Sequence, residues 1–342
     1  MDTDIVYQTS SESRPRVDFH AHLAPALPDD ALRETGVTRN EQGRLAVDGH
    51  PVGPPGLYDR DKLCAFLDER GLDEAVVSPP PPFFRQGLDA EARGRWVEAV
   101  NAGTLAAVAG ESRLLPLAYL PFEDPAAALR AYERIRSDGR WAGVCGSAGG
   151  SSASLADDAF APLWLALDDD AALVFLHPGM SPDPRLGEFY LHNLLGNPVE
   201  TAVAAAQLVF GDVLAAHPRM RVMLVHCGGC VPDLVPRWDR GVETSRPGVA
   251  PLREPPSLAV RRLFVDCLVH DPGAVNRAVA VFGEDRIVLG SDWPFPMGTE
   301  DPISLIAHRG AEFVRRVACD NAATALGRGP GEVNGAGTPR RA

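Results

Sequence analysis

Val17-Asp18-Phe19-His20-Ala21-His22-Leu23-Ala24-Pro25 is the first strongly apolar run of the chain and the one that sets its architecture. Such a run reads as a buried strand. Side chains on a strand alternate with period two, so His20 and His22 emerge on one face. Two imidazoles aimed at one point make half of a tetrahedral zinc-type site, because neutral imidazole is the commonest metal ligand. H-x-H is a short pattern, however, and two chance histidines would look the same. The rest of the chain has to supply the other ligands.

Outward from this strand, short runs rich in Val, Leu and Ile recur at 16–22, 74–79, 114–121, 141–147, 171–178, 221–228, 263–269 and 286–294, eight in all. Segments of helical periodicity separate them: 61–70 with Leu63, Phe66 and Leu67 on one face, then 90–109, 125–137, 159–168, 198–216, 272–282 and 303–326. The segment 232–251 is interrupted by Pro236 and Pro247 and reads as a short helix with a long loop. Strand and helix alternating eight times, with strands apolar throughout, predict an α/β fold in which a parallel (β/α)8 TIM barrel is wrapped by helices. A doubly wound open sheet is the competing arrangement. The count of eight and the positions of the polar residues favour the barrel.

The barrel is expected to be a single domain over residues 16–326, since such barrels use 250 or more residues as one unit. Residues 1–15 are polar, and 327–342 are rich in Gly, Pro and Arg, so both ends are expected to be flexible. Two insertions, 26–59 after the first strand and 179–197 after the fifth, are long enough to be binding loops or lids over the same end of the barrel.

A barrel builds its active site at the C-terminal ends of its strands. Strand one ends in His20-Ala21-His22, strand five in Leu176-His177-Pro178, strand six in Val225-His226-Cys227-Gly228-Gly229 and strand eight in Leu289-Gly290-Ser291-Asp292-Trp293-Pro294. Any one of these is weak evidence. Together they place four of the nine histidines and one aspartate at one mouth. Three imidazoles and a carboxylate suit a borderline divalent ion, most readily Zn2+, with an open position for water. His20, His22, His177 and Asp292 are the expected metal ligands. His226 is then left on a neighbouring strand to move a proton near neutral pH. Trp293 follows the metal aspartate and reads either as a wall of the substrate pocket or as core packing.

The composition, 45% hydrophobic and 23% charged with a net charge of −13, suits a globular protein and speaks against nucleic acid or an anionic membrane as partner. No long uncharged apolar stretch occurs, and Met1-Asp2-Thr3-Asp4 lacks the basic flank of a leader, so a cytoplasmic location is expected. The six cysteines are accordingly expected as free thiols, and Cys227-Gly-Gly-Cys230 as an incidental loop rather than a redox pair.

These segments resemble the amidohydrolase superfamily, and more narrowly the amidohydrolase-related (amidohydrolase 2) branch that contains aminocarboxymuconate semialdehyde decarboxylase. The resemblance spans roughly residues 16–326 and is carried by VDFHAH, HNLLGNPVETAVAAAQLVFGDVL, VMLVHCGG and VFGEDRIVLGSDWPFPM. It implies a distorted barrel holding one metal, usually zinc. Two-metal members bridge their ions through a carbamylated lysine on strand four. Here that strand ends Gly143-Val144-Cys145-Gly146-Ser147, and Lys62, on an early helix, is the only lysine of the chain. Deaminase-like members place a glutamate after the strand-five histidine, where this chain has Pro178-Gly179-Met180. Asp292 and His226 are therefore the expected catalytic pair of a non-oxidative decarboxylase (a carboxy-lyase) acting on a small unsaturated or aromatic carboxylic acid. Hydrolysis of a lactone, amide or related bond at the same site is the alternative, and a non-catalytic metal-binding protein the remote one. The family binds the substrate carboxylate with arginines. One comes across a dimer interface from the segment after strand six, where Arg237 stands, and this implies a homodimer. Arg44 and Arg60 are the candidates in the first insertion.

Overall fold

A computed structural model describes residues 14–33, 35–150 and 153–329. The expectations for 1–13 and 330–342 lie outside the described residues. Eight strands form one sheet in sequence order: β1 Val17–His22, β2 Glu74–Ser78, β3 Leu114–Tyr119, β4 Gly143–Ala148, β5 Leu173–Pro178, β6 Arg221–Leu224, β7 Phe264–Asp266 and β8 Ile287–Val288. All neighbours pair in parallel. The ring closes between the last strand and the first through parallel bridges of Asp18 with Leu289 and of Ala21 with Trp293. Phe19 N donates to Leu289 O at 2.9 Å and His22 N to Trp293 O at 2.9 Å across this seam. The barrel, rather than the open sheet, is the fold.

Every residue of β1, β2 and β5 is buried, as the apolar runs require of strands covered on both faces. The helices are α1 Arg60–Arg70, α2 Ala90–Ala107, α3 Pro125–Ile135, α4 Ala161–Asp169, α5 Asn197–Phe210, α6 Val231–Glu243 and α7 Pro272–Phe282. Several start on an aspartate whose carboxylate satisfies a free backbone N–H: Asp89 accepts from Ala92 N at 2.8 Å, Asp124 from Ala127 N at 2.9 Å and Asp271 from Ala274 N at 2.9 Å. Pro125 and Pro272 follow two of these caps at the first helical position, where no N–H is missed.

Two expectations are corrected. The segment after β6 is a 13-residue helix, α6, rather than a short one, and it contains Pro236. Burial of Val231, Pro232 and Val235 holds it against the barrel. The periodic stretch 303–326 is not one helix. It breaks at Gly310, whose φ is +89°, and runs as Ala311–Arg315, a π-helix Arg316–Asn321 and Ala322–Ala325. Just beyond, Arg328 is tied down, with Nη1 2.5 Å from Glu74 Oε2.

Both insertions follow strand C-termini, at the mouth. The first folds into an antiparallel sheet of Val37–Arg39, Leu45–Val47 and His50–Pro51. It is pinned by Arg85, whose Nη1 lies 2.7 Å from Asp48 Oδ2. Its Gly53 and Gly56 abut the loop after β8, where a Cβ would come within 3.3 Å of Phe295 and 3.4 Å of Trp293 respectively. The second contains Pro184–Leu186 and a π-helix His192–Gly196 that runs into α5. No helix among the described residues is long and apolar enough to cross a membrane.

Candidate active site

β1 delivers His20 and His22, both fully buried, into the mouth. Their Nε2 atoms are 3.1 Å apart, and Asp292 Oδ1 is 3.4 Å from the first and 3.0 Å from the second. The His177 ring, at the end of β5, lies 5.3 Å centre to centre from both. His226 follows β6, 5.3 Å from His20 and 5.2 Å from His177, with Nε2 3.7 Å from Asp292 Oδ2. The five residues singled out in the sequence thus meet. One ligand atom from each of His20, His177, His226 and Asp292 lies within 4.8 Å of the others, and His22 joins them through its contacts with His20 and Asp292.

Each inner imidazole is turned from behind. His20 Nδ1 lies 2.8 Å from Asp266 Oδ2, His22 Nδ1 3.0 Å from Ser78 Oγ and His177 Nδ1 3.2 Å from Pro178 O. With Nδ1 of His20 and His177 donating to these oxygens, the Nε2 lone pairs face inward as acceptors. Lone pairs of His20 and His177 turned toward an ionised carboxylate suit a cation. The electrostatics agree. Burial, then the neighbouring His226, holds His177 well below the usual histidine range, and burial lowers His22, so both stay neutral. Burial opposes charge on Asp292, yet His20, His22 and His226 outweigh it and hold the carboxyl well below its ordinary range. Burial also opposes charge on His20, but Asp292 and Asp266 raise its pKa, and burial pushes Asp18 up to about 6. One buried carboxylate, Asp292, among imidazoles oriented from behind fits a divalent metal ion, with nitrogen-rich donors suited to a borderline one.

The backbone here is unusual. His226, Cys227, Gly228 and Gly229 have φ of +55°, +55°, +74° and +57°, four consecutive residues of positive φ. That conformation costs about 1–2 kcal/mol for each residue bearing a Cβ. It explains the two glycines, since a Cβ on Gly229 would sit 2.5 Å from Pro198 O. Asp292 is also left-handed, at +58°. Gly290 lets the end of β8 close on the site: a Cβ there would be 2.7 Å from that of Asp266 and 3.0 Å from that of His20. Cys227 and Cys230 are unpaired, as are the other four cysteines, and burial pushes the Cys227 thiol well up, so this C-x-x-C forms no disulfide.

The candidates outside the cluster are placed differently. Trp293 is half-buried and packs on Phe66 at 6.4 Å, while Phe295 stands edge-on to His22 at 5.4 Å and is the nearer wall. Arg237 is exposed on α6, with no polar partner among the described residues. Arg60 donates to Ala109 O and Arg44 to Gln42, on the barrel side and on the hairpin. Sequence reading missed Ser78 and Asp266. The signal for the second was an acid inside an apolar strand, Val265-Asp266, repeating Val17-Asp18 of β1.

The amidohydrolase sequence profile, in its second branch, matches residues 17–328. The chain belongs to the amidohydrolase family. Among its relatives, 2-amino-3-carboxymuconate-6-semialdehyde decarboxylase of Dictyostelium discoideum is 27% identical over 314 residues, 85% of either chain. Gamma-resorcylate decarboxylase of Rhizobium radiobacter is 29% identical, over 74% of this chain and 88% of its own. The fold matches 5-carboxyvanillate decarboxylase of Novosphingobium aromaticivorans, solved with manganese and 4-hydroxy-3-methoxy-5-nitrobenzoic acid. The TM-score is 0.76 at 19% identity, covering 92% of this chain and 96% of that one.

Proposed function

We propose that this amidohydrolase-family protein is a metal-dependent, non-oxidative decarboxylase of a small aromatic or unsaturated carboxylic acid. One observation carries the reading: the His226 imidazole stands beside His20, His177 and Asp292, and Pro178-Gly179-Met180 directly after His177 offers no glutamate to activate water. The names of the curated relatives support it.

His20, His22, His177 and Asp292 would hold one divalent ion. The donor set favours Zn2+, and the manganese in the solved carboxyvanillate enzyme makes Mn2+ the competitor. When bound, the ion supplies Lewis-acid stabilisation of negative charge on substrate oxygen. The chain's own groups do the rest. His226 carries a proton on Nε2, the nitrogen facing Asp292, and delivers it to the carbon that loses its carboxylate. The electron pair of the broken carbon–carbon bond stays on that carbon, the proton from Nε2 closes the valence, and carbon dioxide leaves. Asp292 keeps His226 oriented, and Phe295 offers an apolar wall for a ring.

The working form is a homodimer. On the second insertion, Phe189, Tyr190, Leu194 and Leu195 are 81%, 64%, 52% and 47% exposed, an unusual concentration for a monomer. α5, which follows this patch, packs on α6 through Phe210 and Trp238, 6.0 Å apart, and α6 carries Arg237. Arg237 would reach a partner's substrate carboxylate, with Trp293 closing the pocket. Six unpaired cysteines support a cytoplasmic location.

Mass spectrometry on aromatic and unsaturated acids, lactones and amides, incubated with metal-loaded protein, tests the reading. Loss of carbon dioxide from an acid is the expected result. Addition of water to a lactone or amide, with every acid untouched, would replace it by a hydrolase.

A further inference from the structure

Asp266 ends β7 on the barrel interior and is fully buried. Its two oxygens accept four N–H groups. Oδ2 takes His20 Nδ1 at 2.8 Å and the backbone N of His226 at 3.0 Å, while Oδ1 takes Cys227 N at 2.7 Å and Leu268 N at 3.1 Å. One carboxylate therefore does two separate jobs. It fixes which nitrogen of His20 carries the proton, leaving Nε2 free to face the cluster. It also occupies the concave side of the left-handed turn at His226 and Cys227, where successive N–H groups converge as in an anion-binding nest.

Neither job can be passed to a neighbour. Asp18, the other buried acid at the seam, is occupied with His20 N at 3.1 Å, Ser291 N at 3.1 Å and Ser291 Oγ at 2.5 Å. The turn's other two backbone N–H groups stay local: Gly228 N donates to Val225 O at 3.1 Å and Gly229 N to His226 O at 2.9 Å. The N–H groups of His226 and Cys227 thus depend on β7.

We infer that Asp266 is the positioning residue of this site, coupling the ligand face of His20 to the placement of the proton-carrying His226 through one four-fold hydrogen-bonded carboxylate. The inference rests on the roles given to His20 and His226 above. The geometry also predicts why an amide is a poor substitute. In an Asp266→Asn variant the side chain would present a donating NH2 to two N–H groups whichever way it turned, so either the His20 pair or the Cys227 pair must part.

The test is read without turnover, so its failure is separate from any failure of the decarboxylase reading. Histidine-selective 15N NMR of the wild type is expected to show His20 protonated on Nδ1. Hydrogen exchange is expected to show the His226 and Cys227 amides protected far beyond the exposed 245–250 loop. In Asp266→Asn, the His20 ring and His226 amide signals should move together while the His177 ring signal stays. Metal affinity by chelator competition should fall about 10- to 100-fold. Ser78→Ala, which touches His22 alone, should leave the His226 and Cys227 amides unmoved. If Asp266→Asn does not fold, the wild-type tautomer and exchange data still decide. His20 without a proton on Nδ1, loop-like exchange at His226 and Cys227, or an Asp266→Asn protein with unchanged metal affinity would each overturn the inference.

Discussion

On the floor of the barrel mouth, His20, His22 and His177 each have a partner behind the ring, and the first two are sealed from solvent. On the second insertion, a few residues beyond His177, Met180, Phe189 and Tyr190 are 74%, 81% and 64% exposed. The two regions share one end of one fold and differ in what surrounds them. A floor with every orientation fixed suits chemistry that must not vary. A roof of uncovered apolar side chains suits contact with something outside the chain, and here a second copy is proposed. Reaction type is thus carried by the floor, and substrate choice by the roof and what covers it.

The largest effect should come from breaking the floor. Asp292→Ala removes the carboxylate on which His20, His22 and His226 converge, and metal analysis should find the purified variant without its ion and inactive. Retention of a full equivalent of metal would contradict the ligand assignment. Next comes the roof: the proposed dimer should sediment as such in the wild type and as a monomer in Phe189→Glu, with metal content intact. A dimer that survives places the interface elsewhere. Smaller again, Arg237→Ala should raise KM about tenfold at near-normal kcat, the loss expected for one charge-assisted hydrogen bond to a carboxylate. If kcat alone falls, Arg237 does not bind ground-state substrate. The smallest change lies outside both regions. Asp124→Ala removes the cap of α3 and should cost about 1 kcal/mol, lowering Tm by about 2 °C, with kinetics unchanged.

The floor was legible and the roof was not, for physical reasons. His20 and His22 lie on a strand whose period of two puts them on one face, and each remaining candidate ends an apolar run, so eight runs in order were enough to bring five residues together. Helices read less well. Pro236 argued against a helix that tertiary packing nevertheless holds, and Gly310 broke one that periodicity ran straight through. Asp266 escaped because a single acid in an apolar strand has no partner visible in the sequence. Its donors come from β1 and from the turn after β6, some 246 and 40 residues away in the chain. The left-handed turn was hinted at only by Gly228 and Gly229. Nothing local announced that His226 and Cys227 would share its conformation.

The central claim is that His226 supplies the proton that replaces carbon dioxide. It is tested most directly by turnover in D2O of an acid the enzyme accepts, comparing wild type with His226→Ala at equal metal content. The account predicts one deuterium on the vacated carbon in the wild type. It predicts a rate lower by about 10²- to 10⁴-fold in the variant, as for loss of a general acid, with the metal still bound. Undiminished turnover by His226→Ala, or a product gaining water instead of losing carbon dioxide, would contradict it.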